Sequence, residues 1–474
     1  MGLAKKYSGV CNVALVKIID SNEFGAYWKN LPPPEKDDAT NAAVHEIIAA
    51  VRSEGDTAVR RYASRFEKEV PERFEVPPEA AKAAWENLKS TSPGLASSLE
   101  LAADHIRRFG ELQKEQFKDF EAEIAPGLFT GQRIIPVERA AIYVPAGRFP
   151  LISSALMGLI PAAVAGVREK ILASPPGEGG LPDRRILAAA YLAGADRIFA
   201  LGGAQAIAAL ALGTETIPRA DLIAGPGNKF VAAAKRILFG DVGIDFVAGP
   251  TDVLIISDVS AGKPAGTGLI AETADLIAET ADLIAADMLA QAEHDPDARA
   301  RALVPDRAMA ALVEQALERR LAPLPTAETA RPSLEAGGLI IVYESKTEAL
   351  AIANEIAPEH LELFTSSPAE WIPGLKNYGS LFIGASAAEA LGDYSAGINH
   401  TLPTSGSARF TGGLSVRNFL KTVTSLRCAP GKAYAEALAA AETIARAEGL
   451  AGHAESAALR IGKAMMKSAH PGSS

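Results

Sequence analysis

Short apolar runs alternate with longer alanine-rich segments through the middle of the chain. Between residues 140 and 257 the apolar runs are AAIYV, KILAS, RIFAL, DLIAG and VLIIS. They are separated by SSALMGLIPAAVAGV, RRILAAAYLAGA and GAQAIAALALG, which have the composition of helices. Short apolar strands separated by helices predict a parallel sheet with both faces covered.

A second region repeats this pattern. After residue 338 the strand-like runs LIIVYES, LELFT and SLFIGA are separated by helical stretches, which predicts a second α/β unit. Near the start, VALVKII (13–19) predicts a short strand, and residues 41–118 predict helices. Residues 120–145 predict a hairpin that leads into a buried strand. From about Ser415 the chain is alanine-rich and predicts helices without a clear strand.

One segment contains a tandem repeat. Residues 269–275 read LIAETAD, residues 276–282 repeat this sequence, and a third, partial copy begins at Leu283. Heptad spacing is compatible with a coiled-coil seam, but that interpretation normally requires three to four complete heptads. The simpler interpretation, which we favour, is a duplication that lengthens one helix at its N-terminal end.

Length and charge restrict the class of protein. A chain of 474 residues predicts two or three domains. The net charge of −10 argues against nucleic acid or an anionic membrane surface as the main partner. Cys11 and Cys428 form no disulfide framework, no signal peptide is recognisable, and no apolar run reaches the roughly 18 residues of a spanning helix. We therefore expect a soluble cytoplasmic protein.

The motif QAEHD places Gln291 and His294 three residues apart at the end of a predicted helix. Such residues lie on the same helix face, and an amide oxygen and an imidazole are both competent zinc ligands. The alternative interpretation is a polar helix end with a hydrogen-bonded histidine, which is the more common situation for an isolated motif.

Other candidate groups follow later in the chain. Glu359 and His360 are adjacent in IAPEHLEL, after a turn, and form a candidate acid/base pair, although a helix cap or solvated loop explains them equally well. Asp393 and His400 lie in a glycine-rich polar loop, a common setting for functional residues. His453 lies in EGLAGHAES near the end, where a lone histidine is usually structural. His45, His105 and His470 have ordinary surroundings.

Two glycine-bearing segments could bind an anion. LGGAQAIAA and IAGPGNKF each place a turn and a helix N-terminus after a strand, which exposes backbone N–H groups. The dinucleotide fingerprint G-x-G-x-x-G is absent, so these segments alone predict cofactor binding only weakly.

Taken together, the motifs resemble the histidinol dehydrogenase family. The matching runs occur in the family's order: YVPAGRFPLISSALM, GGAQAIAALALGTETIP, IAGPGNKFVAAAKR, VGIDFVAGPTDVLIISD, DMLAQAEHD, APEHLEL, GDYSAGINHTLPTSGSARFTGGLSV and EGLAGHAES. The resemblance covers nearly the whole chain, and the combination is far more specific than any single motif.

The resemblance implies oxidation of L-histidinol to L-histidine through the aldehyde, in two NAD-dependent steps with one zinc ion per site. It implies zinc ligands at Gln291, His294, Asp393 and His453, and a catalytic pair formed by Glu359 and His360. NAD contacts are implied at Tyr143, Gln205 and Asn228. The implied substrate contacts are Thr251, Gln291, His294, His360, Asp393, His400, Glu448 and His453.

The resemblance also implies an architecture. We expect two incomplete Rossmann-like parallel-sheet domains and a small helical C-terminal domain, in a homodimer with shared active sites. The expected division is an N-terminal arm (1–22), a discontinuous catalytic and zinc domain (23–142 and 251–414), an NAD-binding domain (143–250) and a helical domain (415–474).

Three features depart from the family pattern. The LIAETAD repeat lengthens the segment between Thr251 and Gln291, Thr251 replaces the more usual serine, and YVPAGRFP replaces the more common YVPGG form. The last feature is shared with relatives that oxidise other small alcohols such as sulfopropanediol, which is the alternative substrate. A non-catalytic, zinc-stabilised assembly protein is a second alternative, but such a protein would not need Glu359 and His360.

Overall fold

The structure, a computed structural model, describes residues 14–31, 37–146, 150–262 and 270–468. The predicted N-terminal arm is therefore described only from residue 14, and Cys11 and His470 lie outside the described residues. Among the helices of these ranges, none has the length and apolar character required to cross a membrane.

Strands and helices are numbered in chain order. The strands are β1 (Lys17–Asp20), β2 (Phe120–Ala125), β3 (Leu128–Pro136), β4 (Arg139–Tyr143), β5 (Glu169–Ser174), β6 (Arg197–Ala200), β7 (Leu222–Ala224), β8 (Gly243–Ile244), β9 (Asp252–Ser257), β10 (Arg299–Val304), β11 (Leu339–Val342), β12 (His360–Phe364), β13 (Ser380–Ile383) and β14 (Leu420–Cys428). The helices are α1 (Ser21–Lys29), α2 (Asp38–Glu54), α3 (Asp56–Phe66), α4 (Pro78–Thr91), α5 (Pro93–Lys114), α6 (Ile152–Ala165), α7 (Arg184–Leu192), α8 (Gly203–Leu212), α9 (Lys229–Leu238), α10 (Ile270–Ala292), α11 (Arg307–Leu321), α12 (Ala327–Gly337), α13 (Lys346–Ile356), α14 (Glu389–Tyr394), α15 (Lys432–Ala447) and α16 (Ala451–Ser468).

The first α/β unit is built on a five-stranded parallel sheet in the order β6-β5-β4-β7-β8. Helices α4–α7 pack on one face, where Trp85 and Ile160 contact the core around Ile142. Helices α2, α3, α8 and α9 pack on the other face, around Ile171 and Ile223. Covering both faces explains why its strands are almost continuously apolar.

The second unit is a six-stranded parallel sheet in the order β1-β11-β10-β9-β12-β13. Helices α10–α12 cover the face that contains Val253 and Ile255, and α1 and α13 cover the face that contains Leu254 and Ile256. The two α/β units and the hairpin β2–β3 confirm the predicted fold class.

The packing differs from the predicted grouping of residues 23–142 with residues 251–414. Helices α2–α5 and strand β4 belong to the five-stranded sheet, because that sheet needs covering helices on both faces and α6–α9 supply only part of them. Strand β1, from the predicted N-terminal arm, is an edge strand of the six-stranded sheet.

The C-terminal region contains a strand that the sequence pattern did not predict. Strand β14 pairs antiparallel with β3, from Leu420 opposite Pro136 to Cys428 opposite Leu128, and β2 completes a three-stranded sheet. Almost all side chains of β14 are exposed, so they lack the apolar alternation that marks a half-buried strand. Helices α15 and α16 follow it and pack on each other.

The tandem repeat lies on α10 from Ile270 onward. Leu276, which opens the second copy, is 53% exposed, whereas Ala281, Ile284, Ala285, Met288 and Leu289 pack into the core of the six-stranded sheet. This arrangement fits a helix lengthened at its N-terminal end.

Candidate active site

The candidate catalytic pair lies at the amino end of the six-stranded sheet. His360 is the first residue of β12, Glu359 precedes it, and Thr251 immediately precedes the neighbouring strand β9. Because β9 and β12 are parallel, their first residues meet at the same sheet edge. The turn before β12 contains Ala357, a non-glycine residue with a positive φ of 51°, which ends α13 and redirects the chain.

Glu359 is almost completely buried and its carboxylate is held in place. Its Oε2 atom accepts hydrogen bonds from the Thr251 hydroxyl and from the Asp252 backbone N–H. Asp252 in turn accepts from the Glu359 backbone N–H and pairs with buried Arg301 at 2.9 Å. Burial raises the pKa of Glu359 to about 7, so this carboxyl group can exchange a proton near neutral pH.

His360 is buried among carboxylates. Its Nδ1 lies 3.7 Å from Glu389 Oε1, and its Nε2 lies 3.5 Å from Asp393 Oδ1. Burial lowers the pKa of the His360 imidazole, but the negative charges of Glu389, Glu359 and Asp393 outweigh this effect and raise the pKa well above its usual value.

Gln291 connects the end of α10 to the catalytic pair. Its side chain is fully buried, and its Nε2 donates to Thr251 Oγ1 at 2.7 Å. This bond fixes the orientation of the amide, and no residue that the structure describes donates a hydrogen bond to the buried Oε1 atom. A buried acceptor without a donor is costly, which indicates that something else occupies this position in the working protein.

A group able to hold a divalent cation includes His294, three residues after Gln291. Ligand atoms of His294, Glu389 and Asp393 lie within 4.8 Å of one another. Among the described residues, Asp393 Oδ1 and Glu389 Oε2 are buried and have no hydrogen-bond partner. Two carboxylates, an imidazole and the Gln291 oxygen form a donor set that suits zinc. The residues present therefore fit the implied metal.

Sequence reasoning missed Glu389. It opens the short helix α14, it is buried, and its backbone N–H donates to buried Glu362 at 3.2 Å. Its spacing of four residues from Asp393 on a helix was a signal that the two carboxylates share one face.

His400 connects the two α/β units at this site. Its Nδ1 lies 2.9 Å from the backbone oxygen of Asp393, and its Nε2 lies 3.2 Å from the Ser154 hydroxyl on α6. The adjacent Asn399 donates to the backbone oxygen of Met157, also on α6, at 2.7 Å. The site is therefore located where the two units meet.

A mainly apolar cavity of about 500 Å³ opens beside His294. Its lining includes Leu99 on α5, Ile152 and Leu156 on α6, and Tyr394 on α14. Cavities of this size suit a small organic ligand.

The predicted NAD contacts lie at the carboxyl ends of strands in the five-stranded sheet. Strand order reverses at β4, between β5 and β7, and ligands of open α/β sheets bind at such a point. Tyr143 ends β4 and its hydroxyl accepts from Gly203 N–H at 3.1 Å, while Asn228 caps α9 through Phe230 and Val231 N–H. Buried Gln205 lies on α8.

The loop after β7 is held tightly in this crevice. Gly225 has a φ of +114°, and a Cβ atom there would lie 2.2 Å from the backbone oxygen of Tyr143. Buried Lys235 donates to the Gly225 oxygen at 2.9 Å, and its ion-pair partner Asp245 accepts from Gly225 N–H at 2.8 Å. Only glycine fits this position, and the ion pair fixes both of its backbone groups.

Glu448 and His453 stand apart from the other candidates. Both are exposed, Glu448 at the end of α15 and His453 on α16, and neither belongs to the cluster of His294, Glu389 and Asp393 within one chain.

Comparison with known proteins identifies the family. The sequence model described as Histidinol dehydrogenase matches residues 32–461. Histidinol dehydrogenase of Thermus thermophilus is 46% identical over 424 residues, which cover 90% of this chain and 95% of that protein. Histidinol dehydrogenase of Pseudomonas aeruginosa is 41% identical over 445 residues, 93% of this chain and 95% of that protein.

A solved structure agrees with this result. The crystal structure of histidinol dehydrogenase from Elizabethkingia anophelis superimposes with a TM-score of 0.84 at 32% sequence identity, over 95% of this chain and 99% of that one. Both the sequence and the fold lead to the same conclusion: the chain belongs to the histidinol dehydrogenase family.

Proposed function

We propose that this enzyme oxidises L-histidinol to L-histidine through L-histidinaldehyde, with NAD as the oxidant in both steps. The observation that carries the proposal is a pair of buried ligand atoms, Gln291 Oε1 and Asp393 Oδ1, that accept no hydrogen bond from any described residue and lie beside the Glu359–His360 pair. Family membership and the curated relatives named histidinol dehydrogenase support this substrate over sulfopropanediol.

The zinc ion would be held by Gln291, His294 and Asp393 of one chain and by His453 of the partner subunit. When bound, zinc supplies an anchor for the amine and imidazole of histidinol and orients the alcohol. In the chain itself, Thr251 orients the Gln291 amide, and Glu389 contributes a carboxylate to the same cluster. Buried negative charge at Glu389 and Asp393 is the kind that a divalent cation neutralises.

Glu359 and His360 would move the protons. His360 would take the proton from the substrate alcohol at a ring nitrogen in its neutral form, which a cation held by Asp393 and Glu389 favours, because it offsets the negative charges that raise the pKa of His360. Glu359 would remove a proton from the water that adds to the aldehyde. Burial excludes bulk water from both groups, and the Thr251 hydroxyl holds one Glu359 oxygen so that the carboxylate has a defined direction. His400, Thr251 and Glu448 would complete the contacts to substrate.

The family implies NAD use, and Tyr143, Gln205 and Asn228 would contact it at the crevice of the five-stranded sheet. NAD supplies the hydride acceptor for each oxidation. The Gly225 loop, fixed by Lys235 and Asp245, keeps Asn228 and the N-terminus of α9 in position.

The proposed assembly is a cytoplasmic homodimer with shared sites. Apolar side chains are exposed on the C-terminal region, including Leu426 (69%), Ile444 (59%) and Leu459 (64%). Exposed apolar side chains grouped in one region indicate an interaction surface. Burying them against a second copy would also explain how exposed His453 and Glu448 reach a site.

The test is NADH formation by the purified zinc-loaded protein, with L-histidinol and sulfopropanediol compared as substrates. We expect turnover with L-histidinol and at least about a tenfold lower kcat/KM with sulfopropanediol, because the anchoring amine and imidazole are missing. His360→Asn serves as the inactive control. Preference for sulfopropanediol would contradict the proposed substrate, and zinc binding without NADH from either alcohol would favour the non-catalytic alternative.

A further inference from the structure

Glu67 lies at the crevice of the five-stranded sheet, where NAD is proposed to bind. It belongs to the segment before β4 and not to the strands and helices from β4 onward. It follows α3, which ends at Phe66, and reaches the carboxyl end of β6. Its Oε1 accepts hydrogen bonds from Gly202 N–H at 2.8 Å and from Gln205 Nε2 at 3.3 Å. It therefore touches both the N-terminus of α8 and a proposed NAD contact.

The second oxygen of this carboxylate takes no part in these two hydrogen bonds. Oε2 of Glu67 is buried and has no hydrogen-bond partner within the described part of the chain. Burial raises the pKa of Glu67 to about 7, and the two donors from Gly202 and Gln205 only partly offset this rise. An additional O–H donor at Oε2 would stabilise the charged form.

Glu67 also lines a cavity of about 970 Å³ at the carboxyl ends of β4 and β5. The walls are formed by Phe66, by Ala146 and Pro150 after β4, and by the segment 175–184 after β5. In doubly wound folds the adenosine half of a dinucleotide lies on this side of the first strand, and an acidic residue binds the ribose 2′-hydroxyl.

The acidic residue is missing from its usual position, directly after the second strand of the unit. Strand β5 is the second strand of the unit, and it ends at Ser174, followed by Pro175, Pro176 and Gly177 rather than by a carboxylate. Glu178 comes next but is exposed, whereas Glu67 is held against the strand ends. Lys68 and Arg184 also line the cavity, but both are exposed to solvent, where they attract a phosphate only weakly.

We propose that Glu67 binds the ribose 2′-hydroxyl of the adenosine half of NAD and rejects the 2′-phosphate of NADP, which makes it a specificity-determining residue. This inference rests on the proposed use of NAD. The hydroxyl donates to the carboxylate, whereas a 2′-phosphate would place a dianion against a buried anion that forms no ion pair with any described residue.

The alternative role for Glu67 is purely structural, as a cap for α8. Glu67→Gln separates the two roles, because its amide oxygen can still accept from Gly202 N–H while the negative charge is lost. A cap alone would affect both nucleotides equally. Only a residue that contacts the ribose would change the ratio between them.

The experiment uses the full chain and isothermal titration calorimetry with ADP-ribose and 2′-phospho-ADP-ribose at pH 8, where Glu67 is charged. Neither probe requires substrate or turnover. The wild type should bind ADP-ribose tighter, and Glu67→Gln should reduce that preference about tenfold or more, as expected for a hydrogen bond to a charged group. Glu178→Gln, which removes an exposed carboxylate from the same cavity, should leave the preference unchanged.

Each outcome decides between the interpretations. Equal binding of the two probes by the wild type, or full preference retained in Glu67→Gln, overturns the role of Glu67 while leaving NAD binding intact. If the wild type binds neither probe, the proposed cofactor site fails and this inference fails with it. Should Glu67→Gln unfold in a thermal scan, Glu67→Ser provides the same measurement without the carboxylate.

Discussion

The amide nitrogen of Gln291 donates a hydrogen bond to the hydroxyl oxygen of Thr251 at 2.7 Å. The Thr251 hydroxyl in turn donates a hydrogen bond to Glu359 Oε2, so one hydroxyl orients both a proposed metal ligand and a proposed base. The hydroxyl is the functional part of this residue, which explains how threonine can stand where serine is more usual.

Replacing Thr251 with valine should therefore affect zinc and catalysis together. Thr251→Val keeps the shape but leaves the Gln291 amide free to rotate, and loss of such a supporting partner typically lowers metal affinity or activity about 10–100-fold. Zinc content after dialysis and kcat with L-histidinol are the measurements. Thr251→Ser is the matched control and should behave like the wild type. Unchanged zinc affinity and turnover in Thr251→Val would show that this hydroxyl is not needed.

Glu359→Gln should slow aldehyde oxidation more than alcohol oxidation, because only the aldehyde step requires water activation. Loss of a general base typically costs about 10²–10⁴-fold. Single-turnover NADH formation from histidinol and from histidinaldehyde separates the two steps. His360→Asn should slow both. Equal slowing of the two steps by Glu359→Gln would disprove this division of roles.

The pH dependence of the aldehyde step should follow Glu359. Burial raises the pKa of Glu359 to about 7, so the charged, proton-accepting form is present above that pH and is lost as the pH falls through it. The rate of the aldehyde step should therefore rise with pH through about 7. This rise of the rate with pH should disappear in Glu359→Gln. If the rise persists in this variant, it reports the titration of another group.

Subunit mixing tests whether His453 serves the partner's site. His294→Ala and His453→Ala should each be inactive, but a hybrid dimer contains one site with both residues intact. Random mixing should therefore restore activity at about a quarter of all sites in a two-fold symmetric dimer. His294→Ala mixed with Asp393→Ala is the control and should stay inactive, because both residues lie in one chain's cluster. Failure to recover after verified subunit exchange would place His453 outside a shared site.

Deleting residues 269–275 should leave zinc content and turnover within a few-fold of the wild type. The deletion removes the first copy of a perfect repeat, so Ile277 and every residue after it keep their sequence neighbours, and Asp282 keeps its ion pairs with Arg319 and Arg320. Each copy only extends the helix by roughly 10 Å. A large loss of zinc or of activity would show that the extension supports the site.

The strands of the two parallel sheets could be predicted because burial on both faces leaves a continuous apolar signal, as in β9, whose six residues are all buried. Strand β14 could not be predicted, because its exposed side chains carry no apolar signal. Its pairing with β3 also joins residues that are nearly 300 positions apart in the chain. Assigning α2–α5 to a sheet likewise depends on long-range packing that local periodicity does not encode.

The residues of the candidate site could likewise be predicted only in part. Glu359, His360, Gln291, His294 and Asp393 could be selected from motifs, but the pattern gave no indication that Thr251 bridges Gln291 and Glu359. Glu389 carries no motif, and only the fold brings it within 3.7 Å of His360. The raised pKa of His360 follows from that neighbourhood and not from the residue itself.

The contacts of His400 with Ser154 and of Asn399 with Met157 have a consequence for heat inactivation. They span the boundary between two units that each have their own buried cores, and opening a boundary costs less free energy than unfolding a core. Warming should therefore separate the two halves of the site while both sheets are still folded. Activity should be lost at a lower temperature than secondary structure, and cooling from that intermediate range should restore it.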